Sequence, residues 1–185
     1  MRLRTARYGA AILTAVFLTA STGCSSKDET QRLAMGEPAT VPAKGDGTVT
    51  FTVRRIEKGN ASDLKALDKT EQYVGKTPYY VRFAYTKTEA DGDYEAWRLS
   101  LLAGETSLTG LSVLPSFDFQ DPMKPKTRRF DRCLPADSET YRKAGKGDTV
   151  EGCAVYLAEE GTGEASRVAL IDGNYTNSPQ KVTWE

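Results

Sequence analysis

The sequence predicts an all-β fold: an antiparallel β-sandwich of about seven to nine strands, with a small β-barrel as the alternative. Three observations predict it. Short runs rich in β-branched and aromatic residues recur along roughly the last 140 residues. No window of about 12 or more residues carries helical periodicity, which argues against a βαβ alternation. The 16 glycines and 8 prolines fall mainly between the runs, where turns are required.

The elements follow in order. Residues 47–54 alternate threonine with apolar residues, so Val49, Phe51 and Val53 face a core while Thr50 and Thr52 face solvent. Residues 60–72 contain the N-cap candidate Ser62 and allow a short helical turn. Residues 78–86 form the clearest strand, with Val81, Phe83 and Tyr85 on one face and Tyr80, Arg82 and Ala84 on the other. Ala90, Asp91, Gly92 and Asp93 signal a hairpin turn. Further strands are expected at 96–102, 107–113, 127–132, 149–157, 167–170 and 181–184. There is no internal repeat.

The first 24 residues read as an address. Arg2, Arg4 and Arg7 precede an apolar run over residues 10–18, and small residues lead to Gly23 and Cys24. A basic start, a short apolar stretch and small residues make a secretory signal peptide over residues 1–23. The apolar stretch is shorter than the about 20 residues a spanning helix needs. Small residues ending in Gly before Cys24 resemble a bacterial lipobox. That resemblance implies cleavage after Gly23 and diacylglycerol on Cys24, although Ser21 stands where leucine is usual. The alternative is an ordinary secreted chain with an unpaired Cys24. Residues 24–46 are polar and punctuated by Pro38, Pro42 and Gly45, and are expected to be a disordered tether ahead of a domain at 47–185. A docked N-terminal strand is the alternative for this segment.

Composition excludes several chemistries. Histidine is absent, which removes Ser-His-Asp and Cys-His catalysis, His-ligated zinc and a histidine pH switch. The 25 basic and 25 acidic residues cancel in the precursor, but loss of three signal-peptide arginines leaves a net charge of −3. Neither balance calls for nucleic acid. No cofactor and no metal are expected. With Cys24 assigned to lipid, Cys133 and Cys153 form an even pair, and one disulfide is expected in an exported domain. A metal or redox role competes, but there is no histidine and no C-x-x-C spacing.

Two stretches, GKTPYYVRF at 75–83 and GDTVEGCAVY at 147–156, resemble the immunoglobulin-like domain of uncharacterised actinobacterial lipoproteins of Streptomyces type. The similarity covers roughly residues 47–160, and Lys87 departs from it where asparagine often follows the threonine. The resemblance implies an immunoglobulin-like sandwich and an extracellular setting. It implies no activity and no catalytic residues.

Four groups of residues are candidates for function. Glu89, Asp91, Asp93 and Glu95 surround the hairpin turn, but Gly92 is misplaced for an EF-hand, so a solvated tip is the simpler reading. Lys124, Lys126, Arg128, Arg129 and Arg132 form a basic segment suited to phosphate-rich wall polymer or anionic headgroups, diluted by Asp121 and Asp131. Tyr79, Tyr80, Phe83, Tyr85, Tyr94 and Trp97 cluster near one hairpin, as a binding surface or as a core face. Glu71, Glu95, Glu139 and Glu151 supply carboxylates for a hydrolase, the third reading. The patterns at Asn60 and Asn174 fit glycosylation but are incidental in a bacterial lipoprotein. The leading expectation is a non-enzymatic lipoprotein on the extracellular face of the cell membrane, acting as a binding or protein-interaction module. A wall-polymer or small-ligand binder is the runner-up. The binding-surface candidates are Tyr79, Tyr80, Trp97, Lys124, Lys126, Arg128 and Arg129.

Overall fold

Strand periodicity becomes two packed sheets in a computed structural model, which describes residues 30–42, 48–67, 70–88, 98–113, 116–118, 126–128, 130–171 and 182–185. The strands are β1 (Gln31–Leu33), β2 (Pro38–Pro42), β3 (Thr48–Lys58), β4 (Thr77–Lys87), β5 (Arg98–Ala103), β6 (Thr106–Ser107), β7 (Thr109–Leu111), β8 (Ser116–Asp118), β9 (Lys126–Arg128), β10 (Thr149–Ala158), β11 (Arg167–Ile171) and β12 (Val182–Trp184). One five-stranded sheet has the order β1-β12-β11-β5-β6 and the other β2-β3-β4-β10-β7, while β8 and β9 pair as a separate hairpin. The chain is an all-β sandwich. Among the described residues every pairing is antiparallel except β1 with β12, which is parallel.

The core lies between the sheets. Val49, Phe51 and Val53 of β3 point inward with no exposure, as their alternation predicts. Tyr79, Val81 and Tyr85 of β4 join them from the neighbouring strand. Leu101, Val168, Leu170 and Trp184 enter from the opposite sheet. Phe51 packs against Trp184 with ring centroids 5.8 Å apart, and against Phe83 at 5.4 Å, so aromatic contact bridges the layers. Burying each such side chain is worth about 1.5–3 kcal/mol.

The N-terminal segment departs from the tether expected over residues 24–46. Residues 31–42 supply β1 and β2, and both join the sandwich. The physical reason is a short apolar alternation that the flanking prolines obscure. Ala39 and Val41 are each only 1% exposed, and Leu33 and Met35 pack on the core. Pro38 and Pro42 sit at the two ends of β2, an edge strand, where a missing N–H breaks no interior ladder. Gly36 turns the chain between the two strands with φ of 91°. Residues 1–29, with Cys24, and residues 43–47 lie outside the described residues.

Other differences are local. The run expected at 107–113 divides at Leu108: β6 pairs with β5 in one sheet and β7 with β10 in the other. Leu108 is 7% exposed, and its N–H donates to the Leu101 carbonyl at 2.8 Å, which anchors the crossing. The run at 127–132 ends early: β9 stops at Arg128, and over 130–133 the chain turns, with Cys133 N–H donating to Phe130 O at 3.1 Å. The short helical turn expected over 60–72 is found as two 3-10 helices, Ala61–Ala66 and Thr70–Tyr73. Asn60, rather than Ser62, caps the first, and its N–H donates to Asp63 Oδ2 at 3.0 Å. A helix that periodicity does not reveal, α1 (Ser138–Lys143), is too short to show a repeat. Asp137 caps it, accepting from the N–H groups of Glu139 and Thr140.

Candidate functional site: the outer face of the second sheet

Cross-strand registers arrange the outer face of the β2-β3-β4-β10-β7 sheet in rows. At one end Thr40, Thr50, Thr86 and Thr149 stand side by side on four strands. At the other end Glu57, Tyr80, Val155 and Leu111 align. Between them lie Arg54, Arg55, Arg82 and Cys153. The face therefore runs from hydroxyls, through guanidiniums, to an apolar end.

A β-bulge builds the arginine row. The β3–β4 register shifts between Val53 and Arg55, leaving Arg54 as the inserted residue. A bulge opposes two residues to one and re-aims side chains. Consecutive Arg54 and Arg55 thus line one cleft together with Arg82, Asp131, Leu134 and Glu151. Its volume is about 350 Å³.

Each guanidinium has a carboxylate neighbour. Arg54 Nη2 lies 2.9 Å from Glu151 Oε1, and these side chains are 47% and 69% exposed. Glu57 is shared, with one oxygen 2.5 Å from Arg55 Nε and the other 3.5 Å from Arg82 Nη2. The hydrogen bond from Arg55 holds the Glu57 carboxyl below its ordinary range, and the charge of Arg82 adds to this. Exposed pairs of this kind contribute about 0–1 kcal/mol. Asp131 lines the same cleft, so Glu57, Glu151 and Asp131 stand against the three guanidiniums, and an incoming anion competes with these carboxylates for the arginine donors. Arg82 Nη2 also donates to the Arg132 carbonyl at 2.6 Å, tying the row to the covering loop.

That loop closes the apolar end. A disulfide joins Cys133 to Cys153 with Cα atoms 5.2 Å apart, and Cys153 N–H donates to Leu134 O at 3.0 Å. Tyr80, Phe130, Cys133, Cys153 and Val155 form a second small core beneath it. The Tyr80 hydroxyl donates to Asp63 Oδ2 at 3.0 Å, and Arg132 Nε reaches the same oxygen at 3.2 Å while its guanidinium lies 5.1 Å from the Tyr80 ring centre. The Asn60 N–H is the largest cause holding Asp63 below its ordinary range. Burial, reinforced by the hydrogen bond to Asp63, pushes the Tyr80 hydroxyl well up. A shallow groove of about 750 Å³ adjoins this core, lined by Gly110, Leu111, Val113, Pro135 and Val155 among others.

The structure corrects the aromatic surface. Tyr79 is 3% exposed and Tyr80 0%, so neither is available to a ligand. Each packs because it sits in a central strand with both faces covered: Tyr79 inward, Tyr80 beneath the disulfide loop. Tyr85, 1% exposed, is likewise core. Tyr94 and Trp97 lie outside the described residues. So do the hairpin turn at Ala90, the acidic cluster Glu89, Asp91, Asp93 and Glu95, and Asn174. The carboxylates Glu71, Glu139 and Glu151 fall on three different elements, and Glu139 pairs with Lys143 at 2.8 Å. Among the described residues no three Cys, Asp or Glu gather as a metal site, and no helix is long and apolar enough to cross a membrane.

The basic segment is reached in part. Lys124 and Arg129 lie outside the described residues; Lys126 and Arg128 belong to β9, of which the backbone is described. Arg132 sits on the outer face beside Arg82. The arginines that sequence reasoning missed are Arg54, Arg55 and Arg82. A signal for them exists: the apolar positions 49, 51 and 53 jump to 56, a phase slip across two consecutive arginines that marks an inserted residue.

No protein-family model matches the chain. No curated protein matches it either. Among solved structures, an uncharacterized beta-sandwich protein from Clostridium difficile 630 is similar at 8% identity, covering 86% of this chain and 96% of that one with a TM-score of 0.45. The sandwich described above rests on strand pairing and core packing in this chain itself.

Proposed function

We propose that this protein is a non-enzymatic binding module, held on the extracellular face of the cell membrane by lipid on Cys24, with an immunoglobulin-like sandwich that presents its arginine row to an anionic partner in the cell envelope. The observation that carries the reading is the bulge that sets Arg54 and Arg55 beside Arg82 in one exposed cleft. Arginine suits this role because its planar fork matches carboxylate and phosphate oxygens. The address is supported by the basic and apolar start before Gly23 and Cys24. The Cys133–Cys153 disulfide suits an oxidising compartment.

Two measurements test it. Grown with a labelled fatty acid in a bacterial host, the full chain incorporates label and the Cys24→Ala variant does not; equal labelling of both removes the anchor from the proposal. The purified chain is retained on a washed envelope fraction at low salt and released as salt rises, because exposed charge contacts are screened. Arg54→Gln with Arg55→Gln weakens retention. Retention that ignores both salt and these substitutions refutes the arginine row as the contact.

A further inference from the structure

We infer that the partner is a polyol-phosphate chain, with its phosphate on the arginine row and its hydroxyls along the threonine end of the same face. This rests on the binding reading above and goes further by naming the ligand's chemistry.

The inference comes from two strand tracks. On β3, Thr48, Thr50, Thr52 and Arg54 succeed one another on the outer face. On β4, Thr88 just beyond the strand, then Thr86, Ala84 and Arg82, run alongside in register. Both tracks lead from hydroxyls to a guanidinium. Residues two apart on a strand are separated by about 6.6–6.8 Å, and neighbouring strands by about 4.8 Å. A narrow linear chain can therefore follow the tracks and meet side chains from both. The threonine hydroxyls are already oriented: Thr86 Oγ1 and Thr149 Oγ1 are 2.8 Å apart, and Thr48 Oγ1 and Thr88 Oγ1 are 3.1 Å apart. The Thr88 proton goes to the Thr48 carbonyl, so the Thr48–Thr88 pair offers lone pairs to a ligand hydroxyl, while the Thr86–Thr149 pair offers one proton as well as lone pairs.

Two other ligand chemistries fit less well. A purely carboxylate polymer would use the arginines but leave the threonine end without partners. A neutral glycan would use the threonines and gain nothing from the arginine row, and Tyr79, Tyr80 and Tyr85, which could stack on sugar rings, are buried.

Calorimetric titration of the full chain tests the inference with two probes, a glycerol-phosphate oligomer and a polyglutamate of matched charge. The oligomer binds more tightly. Arg54→Gln with Arg55→Gln lowers its affinity by about tenfold or more, the scale of lost charge-assisted hydrogen bonds. Thr50→Val with Thr86→Val lowers affinity for the oligomer and leaves polyglutamate unchanged, and the thermal melt reports whether that variant stays folded. Thr48→Val with Thr52→Val, on the β3 track and not buried, repeats the test if it does not. Equal affinity for the two probes, or indifference of the oligomer to a folded threonine variant, overturns this inference and leaves the anion-binding reading standing. Binding of neither probe at low salt overturns both.

Discussion

Gly152 shows how tightly single residues are placed. It faces inward on β10, and a Cβ there would lie 2.6 Å from the Phe83 ring and 2.7 Å from Ala136 Cβ. Both neighbours are partly buried and pack against the main core, and Ala136 Cβ is fixed to its backbone and cannot turn aside. Overpacking of this kind costs about 1–3 kcal/mol. Gly152→Ala is therefore expected to lower the urea midpoint without changing the slope, and an unchanged midpoint would show that the ring moves freely. Lys87 is a different case. Its side chain is only 3% exposed, yet it is satisfied, with Nζ donating to Ala144 O at 3.1 Å and lying 5.2 Å from the Tyr141 ring centre. Both partners come from the end of α1, and the Tyr141 contact sets a cation over an aromatic face.

Among the elements, the segment from Phe130 to Leu134 depends most on a single link. It has no strand partner, and it is held by the disulfide, by the Leu134 carbonyl and by the Arg132 carbonyl. The two cysteines are 20 residues apart, and closing a loop of that size in the unfolded chain is worth about 3 kcal/mol. Cys133→Ser with Cys153→Ser is expected to lose about that much stability. Amide exchange should rise first around Cys133 and Cys153 and on the outward side of Tyr80. Protection that falls evenly across both sheets would contradict a local role for the link. The paired strands β3 and β4 lie under this loop and carry the arginine row, so the same substitution should also loosen the cleft.

Across the whole molecule, acid is the expected route to loss of stability. Glu57 and Asp63 both have folded-state carboxyls below their ordinary range, and Asp137 at the α1 N-terminus does as well, chiefly through the Thr140 hydroxyl. A depressed carboxyl means that the unfolded chain binds more protons than the folded one. Its contribution is therefore present above the unfolded-state value and is lost as pH falls through the folded-state value. Melting temperature should hold from neutrality to about pH 5 and fall below that. With histidine absent, no transition near pH 6–7 is expected from side chains of that type. A melt that is flat down to pH 3 would mean that these carboxylates titrate alike in both states.

Local pattern was enough for much of this. Alternation in residues 47–54 and 78–86 placed Val49, Phe51, Val53, Val81 and Tyr85 in the core, because strand geometry sends neighbouring side chains to opposite faces whatever the context. With Cys24 set aside, the even pair left over anticipated the Cys133–Cys153 bond. Tertiary structure decided the rest, for reasons that are not local. Period two defines two faces of a strand but cannot say that both will be covered, so Tyr80 was legible as a strand residue and not as a buried one. The short apolar alternation at Ala39 and Val41 gains its energy only from β3 and the opposite sheet, which lie elsewhere in the chain. The arginine row needed a register slip on β3, and the threonine rows needed pairings between strands distant in sequence. The sequence by itself determined what each strand is made of. Only the tertiary structure decided which strands are neighbours, because pairing is settled by long-range closure, and the candidate site exists only across those neighbours.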